Sequence, residues 1–287
     1  RFTETSVARK KQYPYGIFRD QTKKIRFLPI DLFCFWCYIM MYTAAVSRGK
    51  GGGRKNMADV RLKITSRQNE TVKKTVRRCS EPDRDLFLVE GARFVTELDP
   101  RDVKEVFTTA PEEFSSFLEK LGDVPVYEVT TPVMEKLCGV VGAQKICATA
   151  SKRNPEMPDR LVLLDGVRDP GNAGTIVRTA AAFGFGCIFS EDSVNPFSGK
   201  VVRSSAGAIL PAYIERTDLS KAITELKSKG FSVFSSELDE TARRLCDFPK
   251  DTEKTALIVG NEGSGVRPSV SVLADEKLYI PIKNTNS

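Results

Sequence analysis

Two glycine-bearing loops carry the residues best suited to chemistry. The first is "DGVRDPGNAGTIVRTAAAFG", which sets Asn172 and Arg178 among Gly166, Gly171 and Gly174. The second is "IVGNEGSGV", which sets Asn261 and Glu262 between Gly260 and Gly263, with Gly265 following. Amide, guanidinium and carboxylate groups at such places can orient one another or clamp an anion. Glycines beside them let the backbone approach a ligand closely. Strand, glycine loop and helix also suggest a nucleotide site. The dinucleotide fingerprint needs G-x-G-x-x-G, however, and these glycines stand five and three residues apart. They do not form G-x-x-x-x-G-K-[ST] either. Asn172 also has a plainer use, as the capping residue of the helix that follows. Arg178 has one too, as a solvated charge, although Val177, Ala181 and Ala182 flank it.

The chain holds no histidine. That removes Ser-His-Asp triads, Cys-His pairs and most catalytic zinc sites, and no metal is expected. The seven cysteines are an odd number spread over 287 residues, which points to reduced thiols in an intracellular protein rather than a disulfide framework. Cys34 and Cys37 form a single CxxC inside an apolar run, with no second pair to complete a zinc site.

These loops must be held by regular elements. From 160 onward, apolar strands alternate with helices. "RLVLLDGV" leads to helix "AGTIVRTAAAFG" and strand "CIFSE"; helix "SGKVVRSSAGAI" leads to strand "AYIE"; helix "DLSKAITELKSKG" leads to strand "FSVFSSE". "TALIVGNE", a short helix and "KLYIPI" follow. This alternation predicts a mostly parallel, doubly wound α/β sheet, with ligands beyond the carboxyl ends of its strands. Three polar loops, the third being "IPIKNTNS", sit at such ends. Residues 57–155 predict a smaller α/β domain. In it Ser66 is expected to cap a helix over "SRQNETVKKTVRRC", followed by "DLFLVEG", "ARFVTEL", "VKEVFTT", "PEEFSSFLEKLG", "VPVYEVT", "TPVMEKLCG" and "KICATAS" as alternating strands and helices. "KRNPEMPD" reads as the linker into a second domain, 156–287.

Charge is uneven. Residues 1–56 hold 12 of the 44 Lys+Arg but only 3 of the 37 Asp+Glu, so the net charge of +7 arises there. The remainder gives no bulk argument for a polyanionic partner, and any such argument must come from local patches. The segment starts with Arg, as a fragment, processed form or imperfect gene product would. Its composition fits an organellar targeting segment or a disordered extension. Its clean apolar stretch, Leu32 to Tyr42, is too short to span a bilayer, so a membrane partner is not expected.

Together the three loops resemble the SpoU/TrmH family of ribose 2′-O-methyltransferases in the SPOUT superfamily of RNA methyltransferases. "KVVRSSAGAILP" is similar to the family as well, and "ITSRQNETVKK", "LFLVEGARFV" and "GVVGAQKICATAS" resemble the ribosomal-protein-like RNA-binding domain of its rRNA-directed members. The resemblance implies a C-terminal trefoil knot, S-adenosylmethionine as cofactor, RNA as substrate (rRNA favoured over tRNA) and a homodimer with the active site at its interface. It implies catalytic roles for Asn172, Arg178, Glu262 and Ser287, and cofactor contacts from Val259, Gly260, Asn261, Gly265, Ile280 and Ile282. The family continues past that serine with Leu-Asn and a final helix, whereas this sequence stops at Ser287, so the resemblance implies an incomplete knot and pocket here. RNA would be held by Lys73, Lys74, Arg77 and Arg78 on one helix and by Lys200 and Arg203 on another. The alternatives are an RNA-binding protein without catalysis and, on the wrong glycine spacing, a Rossmann-type oxidoreductase.

Overall fold

The computed structural model describes residues 62–81, 86–153, 155–247 and 253–281. The expectations for residues 1–56, Ile282 and Ser287 lie outside these. The elements run β1 (Leu62–Ile64), α1 (Glu70–Ser80), β2 (Leu86–Glu90), α2 (Ala92–Thr96), β3 (Val103–Thr108), α3 (Ser115–Leu118), β4 (Val126–Val129), α4 (Thr131–Cys138) and β5 (Ile146–Ser151). They continue with β6 (Arg160–Leu164), α5 (Pro170–Ala182), β7 (Gly186–Ser190), α6 (Gly199–Ser204), β8 (Ile214–Thr217), α7 (Leu219–Ser228) and β9 (Ser232–Ser236). Last come β10 (Arg243–Arg244), β11 (Thr255–Val259), α8 (Pro268–Ser271) and β12 (Glu276–Tyr279).

β1 to β5 make a mixed sheet in the order β1-β4-β3-β5-β2. The other seven make a sheet in the order β10-β12-β9-β11-β6-β7-β8, every pairing parallel. This is the mostly parallel α/β architecture that the alternation predicts. Its strands alternate faces. Leu161, Leu163 and Ile188 pack with α7 residues Leu219, Ile223 and Leu226 on one side. Leu164, Cys187 and Phe189 pack with Val177 of α5 and Val201 of α6 on the other. That second cluster continues into Phe87, Val89 and Ala150, so the two sheets share a core.

Local chemistry moves several expected boundaries. Asn69, not Ser66, caps α1: its side chain accepts from the Thr71 amide at 2.8 Å. Ser66 instead accepts from the Gln68 amide at 3.2 Å and turns the chain ahead of the helix. Residues 111–122 form two short 3-10 turns around the four-residue α3 rather than one helix. The helix expected over 198–209 stops at Ser204, because Ala206 and Gly207 have φ of 51° and 83°. The last strand ends at Tyr279, short of Pro281.

Candidate active site

The first two loops leave neighbouring strands at one level. Leu164 at the end of β6 is in register with Val259 at the end of β11 and with Phe189 of β7. α5 begins at Pro170, a favourable first helical position, and Asp169 is its cap, accepting from the Asn172 amide at 2.8 Å. Asn172 is therefore not the cap, and its side chain is free to reach across. Its Nδ2 donates to Glu262 Oε1 at 3.0 Å, joining residues 90 positions apart. The Asn172 side-chain amide, then the main-chain amides of Glu262 itself, Asp169 and Arg168, hold the Glu262 carboxyl below the usual carboxylate range. At neutral pH this exposed group is a carboxylate aimed by the first loop.

Asn261 organises the second loop rather than offering polar atoms to a ligand. Its Nδ2 donates to the Gly166 carbonyl at 2.8 Å, and its Oδ1 accepts from the amides of Gly263 and Ser264 at 2.9 and 3.2 Å. Its main chain exchanges two bonds with Gly265, of 2.9 and 3.0 Å. The loop folds back so tightly that a Cβ on Gly260 would lie 2.1 Å from the Gly265 carbonyl carbon. Gly265 itself sits at φ 70°. What the turn presents outward is Glu262, Gly263 and Ser264, all exposed.

Beneath the loops lies a polar frame that sequence reasoning missed. Asp165 is fully buried. It accepts from the Arg267 amide at 2.8 Å and from Arg267 Nε and Nη2 at 2.7 and 2.5 Å. The same guanidinium approaches Asp192 at 3.4 Å. Ser190 and Ser193 accept from the amides of Gly166 and Val167 at 2.9 and 3.0 Å and lie 2.7 Å from each other. Asp165 looks like one more polar loop residue in the sequence. Only its place straight after the buried run "LVLL" hinted at burial.

The other expected residues are distributed unevenly. Arg178 is exposed and makes no ion pair among the described residues. Val259 is half-buried at the end of β11, and Ile280 is 66% exposed just beyond β12. β9 lies between those two strands, so Val259 and Ile280 flank it rather than touch as neighbours. Lys200 is exposed, with no ion pair among the described residues. Arg203, one turn on, faces inward: its Nη1 lies 3.1 Å from Glu90, a carboxylate only 8% exposed. A buried carboxylate needs such compensation, so Arg203, its side chain 35% exposed, is committed to Glu90 while Lys200 stays open to solvent. On α1, Lys73 pairs with Glu70 at 3.0 Å, Arg77 with Glu81 at 3.1 Å and Arg78 with Glu105 at 3.6 Å. Lys74 makes no such pair among the described residues.

Comparisons with known proteins agree with this geometry. A sequence model of the SpoU rRNA Methylase family matches residues 159–287. The chain is 30% identical over 227 residues to the 23S rRNA (guanosine(2553)-2′-O)-methyltransferase RlmP of Bacillus subtilis, covering 76% of this chain and 90% of that protein. It is 27% identical over 218 residues to the 23S rRNA (guanosine-2′-O-)-methyltransferase RlmB of Acinetobacter baylyi, covering 68% of this chain and 86% of that protein. Among solved structures, the AdoMet-bound rRNA methyltransferase from Sinorhizobium meliloti superposes with a TM-score of 0.66 at 25% identity, over 79% of this chain and 91% of that one. The first relative matches well beyond the methylase region, and the motif residues sit at strand ends that one sheet brings together; the chain belongs to the SpoU rRNA methylase family.

Proposed function

We propose that the chain transfers a methyl group from S-adenosylmethionine to a ribose 2′-hydroxyl of RNA, with rRNA favoured over tRNA. The observation that carries this reading is the Asn172–Glu262 bond of 3.0 Å, which fastens the two motif loops into one polar surface beside the exposed Gly263–Ser264 turn. The names of the rRNA-directed relatives and the AdoMet-bound neighbour support the substrate and the cofactor.

The residues present suit an adenosyl group, which wants apolar contact and a few main-chain partners. The glycine turn after β11, the exposed Ile280 after β12 and the exposed Leu238 two residues beyond β9 lie at three adjacent strand ends. Gly260 and Gly265 shape this turn, while Val259 and Ile280 offer apolar surface; Ile282 and Ser287 are assigned here from the motif alone. When bound, the cofactor supplies an electrophilic methyl on a positive sulfonium, so the chemistry asks no metal of the protein.

The chain's own residues must then position the acceptor and receive its proton. A guanidinium stays protonated far above neutral pH, so Arg178 acts as a fork on an RNA phosphate rather than as a base. Six residues at about 100° each put Arg178 about 240° around α5 from Asn172. That separation supports a site completed by a second copy, with Arg178 serving a different face from the Asn172–Glu262 pair. A homodimer and a C-terminal knot belong to this reading, as do an N-terminal RNA-binding domain over 57–155 and a methyltransferase domain from 156. Lys74 and Lys200, without ion pairs among the described residues, are the most open to RNA backbone contact, with Lys73, Arg77 and Arg78 beside Lys74 on α1. The basic segment 1–56 supports an intracellular, organellar address, which a fluorescent fusion would test.

The test is Arg178→Ala with tritiated S-adenosylmethionine and an rRNA transcript. Methyl transfer should vanish while cofactor affinity, read by calorimetry, is retained. Undiminished turnover sinks the assignment of Arg178.

A further inference from the structure

The inward turn of Arg203 suggests a role beyond charge compensation. Glu90 is the last residue of β2, an edge strand of the first sheet. It accepts from the Gln144 amide at 3.0 Å and from Arg203 Nη1 at 3.1 Å, and the same nitrogen lies 3.5 Å from the Cys138 carbonyl. The corner after it is held by Gly91 at φ 103°, a conformation that other residues rarely adopt. On the other side, α6 is pressed against α5. A Cβ on Gly174 would meet Ser204 at 2.4 Å and the Val201 carbonyl at 2.8 Å. So α6 lies between β2, which it meets through the Arg203–Glu90 bond, and the helix that carries Asn172 and Arg178, against which it packs with little slack.

Apolar contacts already hold the two sheets together. The rings of Phe87 and Phe197 meet at a tilt with centroids 5.0 Å apart, and Phe94 packs over Gly207. Apolar surfaces fix proximity without fixing direction, whereas a guanidinium fork whose Nη1 is bonded to a buried carboxylate fixes a direction.

We infer that Glu90 and Arg203 are a positioning pair: they set the orientation of the first sheet relative to α5, and so the way RNA held by residues 62–151 meets the transfer site. The inference rests on the RNA methyl-transfer reading. Neither residue touches substrate or cofactor; both act through α6.

The test compares Arg203→Gln, Arg203→Lys and the double variant Glu90→Gln with Arg203→Gln in the whole chain, with an rRNA transcript as acceptor. The double variant matters most, because it leaves no unpaired buried charge to unfold the protein. In it the KM for RNA should rise about tenfold or more, while calorimetric affinity for S-adenosylmethionine stays within about twofold. Arg203→Lys keeps the charge without the fork and should recover part of the loss. An RNA KM within about twofold of the unaltered chain in the double variant overturns the inference, whatever the melting temperature does. If the unaltered chain moves no methyl group to RNA, the functional reading fails by itself, and hydrogen exchange decides the pair. Faster exchange of α5 amides in the double variant supports it, and loosening confined to β2 and α6 overturns it.

Discussion

The carboxyl end of the parallel sheet and the surface of α1 hold the same kinds of charged residues, arranged in opposite ways. On α1 the partners are near in sequence or exposed: Lys73 with Glu70 three residues away, Arg77 with Glu81 four residues away. At the sheet end the partners are distant in sequence: fully buried Asp165 with Arg267 over 102 residues, and the exposed Asn172 with Glu262 over 90. Local exposed pairs contribute little to stability. Long-range pairs fix the relative position of two loops, because they tie together segments far apart in the chain. Chain separation between partners, more than residue type, therefore marks where one element is fixed on another, at these loops as in the Glu90–Arg203 pair.

The sharpest way to break that contrast is Arg267→Ala. It takes the two guanidinium donors from fully buried Asp165 and leaves it only the main-chain amide of residue 267. Denaturant unfolding should show a loss of about 3 kcal/mol, the usual cost of orphaning a buried charge. A loss under about 1 kcal/mol would make the frame no different from a surface pair.

Next in size is Gly260→Ala. The added Cβ would lie 2.1 Å from the Gly265 carbonyl carbon and 2.2 Å from the Val266 nitrogen, both backbone. The loop must open, at a cost of about 2 kcal/mol, and calorimetric affinity for S-adenosylmethionine should fall with it. Gly263→Ala is the control, because its Cβ meets nothing nearer than 3.6 Å. It should change stability by less than about 0.5 kcal/mol. Equal effects at the two glycines would show that the turn is not the rigid element described above.

The same contrast explains what could be read in advance. The strands and the body of α5 were legible because apolar runs and their alternation are local patterns, whereas its start, expected at Ala173 after an Asn172 cap, lies at Pro170. The glycine loops were legible as sites because their residue types are unusual for plain turns. The roles inside them were less so. Asn172 looked like a cap until Asp169 took that place three residues earlier. Asn261 looked like a ligand contact, yet its side chain is bonded to Gly166, 95 residues away. Arg203 looked outward because one-turn spacing with Lys200 predicts a shared face, and nothing local reveals that Glu90 lies opposite. Each miss has one cause: the deciding partner belongs to another strand end, and pairing between strands is not written in short-range periodicity.

A smaller effect tests the Asn172–Glu262 bond. In the folded chain the Glu262 carboxyl titrates below its ordinary range, chiefly because of Asn172. A depressed folded value contributes stability that is present above the unfolded pKa and is lost as pH falls through the folded one. Asn172→Ala should move the Glu262 titration, followed by carbon-13 NMR, upward toward about 4.3. The stability difference from the unaltered chain should be present at neutral pH and shrink below about pH 4. A difference that does not vary with pH would remove Glu262 from its cause.

The smallest effects belong to α1, and they sharpen the contrast from the other side. Lys73→Gln and Lys74→Gln should each change stability by less than about 0.5 kcal/mol, because both side chains are solvated. They should differ in RNA binding. Lys73 already has Glu70 at 3.0 Å, whereas Lys74 has no ion pair among the described residues and is open to a phosphate. Lys74→Gln should weaken binding evenly across sequences and flatten the salt dependence by about one unit of slope. Lys73→Gln should flatten it less, because removing a lysine already matched by a carboxylate changes the local field less. Equal slopes for the two variants would mean that α1 meets RNA through its summed charge, and that pairing on an exposed helix says nothing about which cation is used.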